Sequence, residues 1–575
     1  MKMRSVVHRV LDIPEILELI LSQLDRKSNV QNALVCKRWS DIALNLVWRD
    51  VTDLLFLFQL LAPLEKSGSI NDATIYRFER GLTARDWERF GRYARRVRSF
   101  TYGNPDIYPS SDVDGSVFDE IARTRPPANI LPAILPNLRS LSWFSQLHSR
   151  TSYSFMFMHE NITKFDIYLR IADEHPLDAV FDEIRLRMPH LTSLDLRFEN
   201  SMCEIEDSFI KLVSRLKKLK QIILPAFTVT TRVFEALSKL PNLRIIQFEF
   251  LASQGIGQPS DVASFSPRLE DGAFPSLFDL ALNCSMQDAT RLFNAPFAPI
   301  HMKMLYLHVT APATPDEMRQ FLTVLSENCQ LLTHLSINLT RLPAFSEDAP
   351  IPDNGRVTWD HLKPVLSLPE LTDLSIIWSH PFMITEANIE EMASKWPSLE
   401  SLCLNSEPLD PSEESMLTLR ALVPFARHCP KLNELGLYIS TKDAAELSRE
   451  TTATLTKPFK SLQRFEVGLS GILDPKPVAL FLSQLCPSEC SVESGVTWPD
   501  GFGMMSKELE GNLNVWWERW QEVDSLLPLL IQLRQEEREK RKNLEKEVSD
   551  LRMRCRVLED MANTDAPRND SCIMN

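Results

Sequence analysis

Few residues in this 575-residue chain have the type and spacing that chemistry needs, and each such group lacks its partners. Cys486 and Cys490 stand four apart, as two zinc ligands can, but no second Cys or His pair follows at the spacing of a four-ligand site. His159-Glu160 begins like a metalloprotease helix, yet Thr163 stands where the second His must be. "GFGMM" (501–505) lacks the strand before it and the Gly-Lys after it that turn glycines into a phosphate cradle, and no G-x-S-x-G occurs. "ARDWERFGRYARRVRSF" (84–100) interleaves six arginines with Trp87, Phe90 and Tyr93, a pattern that holds phosphates or stacked bases, or else an amphipathic helix with its rings turned inward. The chain ends Cys572-Ile573-Met574-Asn575, the frame of a prenylation box, with an uncommon last residue and no polybasic stretch upstream. No catalytic constellation, metal site or cofactor site is expected, and Cys572 is the one lipidation candidate.

Bulk composition narrows the classes further. A net charge of −14 disfavours a nucleic-acid partner and makes the amphipathic reading of 84–100 the better one. The longest apolar run, "LLFLFQLLAP" (54–63), is too short to span a bilayer, so a membrane partner is not expected. Ten scattered cysteines suit a reducing compartment, cytoplasmic or nuclear. With 37 prolines against 16 glycines, the prolines act as punctuation, and what they punctuate is a repeat.

"LPNLRSLSW" (135–143), "MPHLTSLDL" (188–196), "LPNLRIIQF" (240–248), "LPELTDLSI" (368–376) and "CPKLNELGL" (429–437) share one frame, Leu-x-x-Leu-x-Leu with apolar substitutes. Its first apolar position falls at Val97, Leu138, Ile162, Leu191, Leu219, Leu243, Leu277, Met302, Leu332, Leu371, Leu399, Leu432 and Leu462. The steps are 24 to 34 residues, apart from two of 41 and 39. The last two apolar positions alternate as in a short strand, and helix-like stretches such as "SFIKLVSRLKK" lie between frames. One strand and one return helix cannot bury their own apolar faces, so the units must stack. "QGIGQPSDVASFSPRLEDG" (254–272) and "PAFSEDAPIPDNGR" (343–356) read as surface loops. The array resembles leucine-rich repeats, which implies an α/β solenoid with a parallel inner sheet and outer helices; the repeats are divergent, with no regular Asn or Cys after the last Leu.

The first fifty residues are a helical block. Asp12 with Glu15, and Ser28 with Gln31, have the spacing of capping boxes, and Pro14 sits in a first turn where its missing N–H costs nothing. Val35, Trp39, Ile42 and Leu46 fall on one helical stripe. From Ile13-Pro14-Glu15-Ile16-Leu17 through Val35-Cys36-Lys37 to Trp39 and Ile42 the block resembles the F-box, with Ile13 where the family usually has Leu. Together with "LVWRDVTDLLFLFQLLAPL" and "LPNLRSLSW" it is similar to the fungal F-box proteins with leucine-rich repeats over roughly 150 residues. That resemblance implies a non-catalytic substrate receptor of a Skp-Cullin-F-box (SCF) ubiquitin ligase, with a Skp-type adaptor, a cullin core and an unknown protein substrate as partners. The adaptor interface it implies comprises Ile13, Pro14, Ile16, Leu17, Ile20, Leu24, Val35, Cys36 and Trp39; Leu34 and Ile42 are expected mainly inside the block, and Leu17 and Ile20 fit either place. The alternative is a leucine-rich-repeat scaffold outside any ligase.

In such a solenoid the residues interleaved between strand leucines face the concave side. Here they are Asp166, Tyr168, Asp195, Arg197, Glu249, Asp279, Tyr306, His308, Asp373, Glu434, Tyr438 and Glu466, with Lys164 and Arg464. Acids outnumber bases on that face, which suits a basic substrate patch or, equally, a solvated sheet with no partner. Beyond the repeats, Trp516, Trp517, Trp520 and Val523 form a face that caps the solenoid end. Leu544, Val548, Leu551, Cys555, Leu558 and Ala562 alternate steps of four and three as a coiled-coil seam. That seam can join two copies through 544–562, dock within the chain or stay loosely attached. The layout expected is an F-box over 1–50, a helical linker over 51–82, a solenoid over 83–495, a C-terminal helix or short coiled coil over 505–562, and a flexible tail over 563–575.

Overall fold

A computed structural model describes residues 11, 13–70, 72–104, 110–126, 131–144, 151–169, 177–249, 253–339, 355–411, 415–447, 458–497 and 507–564. Asp12, most of the 343–356 loop and Cys572 lie outside them. The chain divides into two compact units, Met1–Thr333 and His334–Asn575.

Every one of the thirteen frames becomes a strand. In the first unit, β1 (Asp50–Val51), β2 (Leu64–Ile70), β3 (Ala73–Phe78), β4 (Ser99–Tyr102), β5 (Ser111–Val113), β6 (Ser140–Trp143), β7 (Lys164–Leu169), β8 (Ser193–Phe198), β9 (Gln221–Pro225), β10 (Ile245–Glu249), β11 (Asp279–Cys284) and β12 (Met304–Val309) follow in chain order. A parallel sheet runs β1-β4-β6-β7-β8-β9-β10-β11-β12. Its register aligns Val51 with the middle apolar position of each frame in this unit: Val51, Phe100, Leu141, Phe165, Leu194, Ile222, Ile246, Leu280 and Leu305 are successive Cα partners. None of these side chains is more than 2% exposed. Each buried rung contributes about 1.5–3 kcal/mol, and a one-residue slip would turn the ladder outward, so the leucine spacing itself sets the register.

The second unit repeats the device with β13 (His334–Asn338), β14 (Asp373–Ile377), β15 (Ser401–Leu404), β16 (Glu434–Leu437), β17 (Arg464–Gly468) and β18 (Ser491–Ser494). Leu335, Leu374, Leu402, Leu435, Phe465 and Val492 form its buried ladder. Parallel neighbours need crossover connections, and helices such as Met202–Arg215, Met286–Phe293 and Pro475–Leu485 supply them, burying Phe209, Phe293 and Phe481. Both units are thus α/β and solenoid-like.

Three expectations are corrected here. Among the described residues of 51–82 helix is confined to Leu54–Phe58, while Leu64–Ile70 and Ala73–Phe78 form the antiparallel β2–β3 hairpin, which β5 joins. The sheet also begins earlier than residue 83, because β1 pairs with β4 directly after the N-terminal helices. The loop over 254–272 is not a surface loop at its start: Gln254 is fully buried, Val262 and Phe265 are 1% exposed, and Gly255, at φ +77°, approaches the Phe198 carbonyl so closely that a Cβ there would sit 2.2 Å from its oxygen.

The C-terminal helix, Lys507–Thr564, has two halves of different character. In the first, Trp520, Val523, Leu527 and Ile531 are buried at helical spacing, and the Trp520 indole N–H donates to the Ser470 carbonyl at 2.8 Å. Arg519 donates to the Ile472 carbonyl, Arg534 to Ser483, and Asp524 accepts from the Val492 N–H of β18. Trp516 packs beside Gly471, whereas Trp517, expected on the same face, is 50% exposed. From residue 535 to 559 every side chain is exposed.

Candidate functional site

Three short helices build the N-terminal block: α1 (Pro14–Ser22), α2 (Arg26–Asn32) and α3 (Lys37–Arg49). α1 starts with Ile13 at its N-cap and Pro14 at the first helical position, so the proline supplies the start that Asp12 was expected to cap. The cap of α2 is Asp25, whose carboxylate accepts from the Ser28 N–H at 3.0 Å; Ser28 is therefore the receiver of a cap rather than its source. Asn29, 3% exposed, donates to the Leu21 and Leu24 carbonyls and fixes the end of α1 against α2.

The block's core is small. Leu17, Leu21 and Ala43 are buried, with Leu11, Ala33, Trp39, Ile42 and Leu46 packed around them. Leu17, at 0% exposed, belongs to this core and is withdrawn from the candidate adaptor surface. Trp39 is half-buried against the same core, and Ile16 is half-buried. The remaining candidates point to solvent: Ile13 (44% exposed), Ile20 (43%), Leu24 (44%) and Val35 (61%), with Pro14 and Cys36 also exposed. Leu34, expected inside, is 78% exposed, and Leu19 (66%) and Val30 (45%) join it. Leu34 departs from its expected place because residues 33–35 form a turn between α2 and α3, where helical spacing no longer says which way a side chain points. So many exposed aliphatics in so few residues form the kind of surface that a partner covers.

That surface is held firmly on the repeats of its own unit. α3 runs straight into β1, where the Arg98 N–H donates to the Arg49 carbonyl. Trp48 stacks on Phe56 at 4.4 Å and tilts against Tyr93 at 5.1 Å, while the Arg26 guanidinium lies 4.2 Å over Phe56. Arg96 donates to the Asp41 carbonyl and pairs with the Asp41 carboxylate at 3.1 Å. The helix that carries Tyr93, α5 if α4 is Leu54–Phe58, spans Ala84–Ala94 and buries Trp87 and Phe90, the amphipathic arrangement favoured for the arginine-rich stretch.

The interleaved residues of the sheet are far less available than their types suggest. Asp166 is 7% exposed, accepts from Ser142 at 2.7 Å and sits 3.4 Å from Lys164; burial raises its carboxyl pKa. Asp195 pairs with Arg197 at 2.8 Å and accepts from the buried Gln254, while Arg197 also lies over Phe144. Asp279 accepts from Gln247 at 2.7 Å. Tyr168 donates to Glu199 and Tyr438 to the Pro411 carbonyl, both rings being 9% exposed. His308 is fully buried beside Phe227, and burial pushes its imidazole down to about 3, so it is neutral near pH 7. Tyr306 is half-buried edge-on to Phe248. Glu249 is exposed, and Asp373, Glu434 and Glu466 are half-exposed. Asp373 meets His334 at 3.1 Å, Glu434 pairs with Arg464, and burial raises the Glu466 carboxyl. The face open to a partner is thus narrower and less acidic than the sequence suggests.

Residues 14–53 match the F-box-like family model, so the three helices and β1 form an F-box-like domain. No curated protein matches the chain. Among solved structures it is similar to the crystal structure of the Rad7 and Elc1 complex in yeast, at 14% identity and a TM-score of 0.33, covering 63% of this chain and 82% of that one. It is similar also to the crystal structure of a complex of TLR13 with ssRNA13, at 12% identity and a TM-score of 0.30, covering 76% of this chain and 65% of that one.

Proposed function

We propose that this protein is the substrate-recognition subunit of an SCF-type ubiquitin ligase. Its F-box-like domain docks a Skp-type adaptor and through it the cullin core, and its repeats, read as divergent leucine-rich repeats of the fungal F-box kind, hold a protein client. The subunit itself does no chemistry; it brings the client to the ligase in the cytoplasm or nucleus. The observation that carries this reading is the run of exposed aliphatic side chains on an F-box-like domain, Ile13, Ile20, Leu24, Leu34 and Val35, at 43–78% exposure. Client capture is assigned to the open part of the sheet face of each unit, where exposed Glu249 in the first and half-exposed Glu466 in the second favour a basic patch.

Affinity purification followed by mass spectrometry tests it, comparing the parent with Leu34→Asp/Val35→Asp. Adaptor and cullin peptides are expected with the parent and absent from the variant, while client peptides persist in both. A parent that brings down neither ligase component would end the proposal.

A further inference from the structure

The distal half of the C-terminal helix carries more than a loose apolar seam. Leu544, Val548, Leu551, Cys555 and Leu558 are all exposed, with Leu544 60%, Val548 44%, Leu551 52% and Leu558 64% exposed. No described part of the chain covers them, which leaves the intramolecular dock without support among the described residues. Steps of four and three assign Leu544, Leu551 and Leu558 to the d positions of a heptad and Arg541, Val548 and Cys555 to a; in a parallel coil, β-branched Val548 at a with Leu at d favours two strands over three.

The flanking charges choose the same arrangement. In a parallel, in-register pair each g residue faces the e residue five positions on in the other helix. Here those pairs are Lys540 with Glu545, Glu547 with Arg552, and Arg554 with Glu559, each of opposite sign. An antiparallel pair that keeps every layer apolar sets Arg552 against Arg552, Arg554 against Arg554, and Glu545 against Glu559. Sliding that pair by one heptad relieves the repulsion but sets Arg541 opposite Leu558 in the layer at each end, whereas the parallel pair meets its one charged layer, Arg541 against Arg541, at the N-terminal end alone, where the helices can splay. Within its own helix Arg554 reaches Asp550 at 3.0 Å, and both side chains are more than 60% exposed, so this contact competes only weakly.

We propose that residues 540–559 bind the same segment of a second copy as a parallel, in-register coiled coil with the two Cys555 side chains face to face. The paired segment spans about 30 Å and under three heptads, so association is concentration-dependent. It makes the receptor bivalent.

The test uses the full chain. Sedimentation is expected to show a monomer–dimer equilibrium in the parent. Arg552→Glu/Arg554→Glu alone and Glu547→Arg/Glu559→Arg alone are each expected to associate ~tenfold or more weakly, whereas mixing the two restores dimers, because every g–e pair is again opposite in sign. In a chain with Cys36, Cys203 and Cys572 replaced by Ser, a short bis-maleimide is expected to link Cys555 across the dimer. Moving that cysteine to the f position, as Cys555→Ala/Met553→Cys, is expected to abolish linking. A parent that stays monomeric at its highest soluble concentration, a mixture no more associated than either variant alone, or equal linking from position 553 would each overturn the proposal.

Discussion

Truncating the exposed aliphatics of the F-box-like domain separates binding from folding. Leu34, Val35 and Ile20 are 78%, 61% and 43% exposed in the free chain, and those fractions are what a partner can still cover. Scaling about 2 kcal/mol for complete burial by these fractions gives roughly 1.6, 1.2 and 0.9 kcal/mol, about 3.7 together. The triple variant Ile20→Ala/Leu34→Ala/Val35→Ala is therefore expected to weaken adaptor binding by roughly 400-fold. Its thermal midpoint should stay near that of the parent, because none of the three belongs to the Leu17–Leu21–Ala43 core. Calorimetric titration of purified Skp-type adaptor into both proteins reads the effect. A loss below about tenfold with the fold intact would mean that the adaptor, if it binds, does not sit on these side chains.

Other perturbations probe the fold that presents this surface. Leu17→Ala should cost about 2–5 kcal/mol in denaturant unfolding of the block, the opposite outcome to the surface triple, since Leu17 is fully buried. Burial pushes the Glu407 carboxyl up to about 7, opposed by two hydrogen bonds from Thr497 and helped by Glu466. A carboxyl raised from an unfolded value of 4.5 favours the folded state fully below that value and loses the contribution as pH climbs through about 7, a gap of roughly 3 kcal/mol. Glu407→Gln is then expected to be more stable than the parent near about pH 8, with the difference shrinking toward about pH 5; equal stability at both would contradict the burial effect. Gly255→Ala should lower the melting temperature through a cost of about 1–3 kcal/mol or more, because alanine is strained at φ +77° and its Cβ would meet the Phe198 carbonyl. Trp520→Ala should release the first half of the C-terminal helix, seen as faster amide exchange around residues 516–534 with the 14–49 helices unchanged.

The repeat strands were legible because each Leu-x-x-Leu-x-Leu frame states its own period. β1 and β18 were not, since each offers a single buried valine, Val51 or Val492, and one residue has no period. The hairpin after α4 has no signature of its own, because β2, "LEKSGSI", is largely exposed and carries no apolar alternation. On the candidate surface, Ile13, Ile20 and Leu24 come from the F-box resemblance rather than from helical spacing, and no spacing reaches Leu34, which lies in a turn. The burial of Asp195 has a non-local cause: Gln254 reaches it from 59 residues away, and no local pattern announces a loop that folds back over the sheet.

Hydrogen exchange of the intact chain, with and without purified Skp-type adaptor, examines the docking surface itself. Protection is expected over residues 13–36, where Ile13, Ile20, Leu24, Leu34 and Val35 lie exposed in the free protein. Unchanged exchange there at saturating adaptor, or protection confined to the repeats, would contradict the assignment of this F-box-like domain as the ligase-binding end of the molecule.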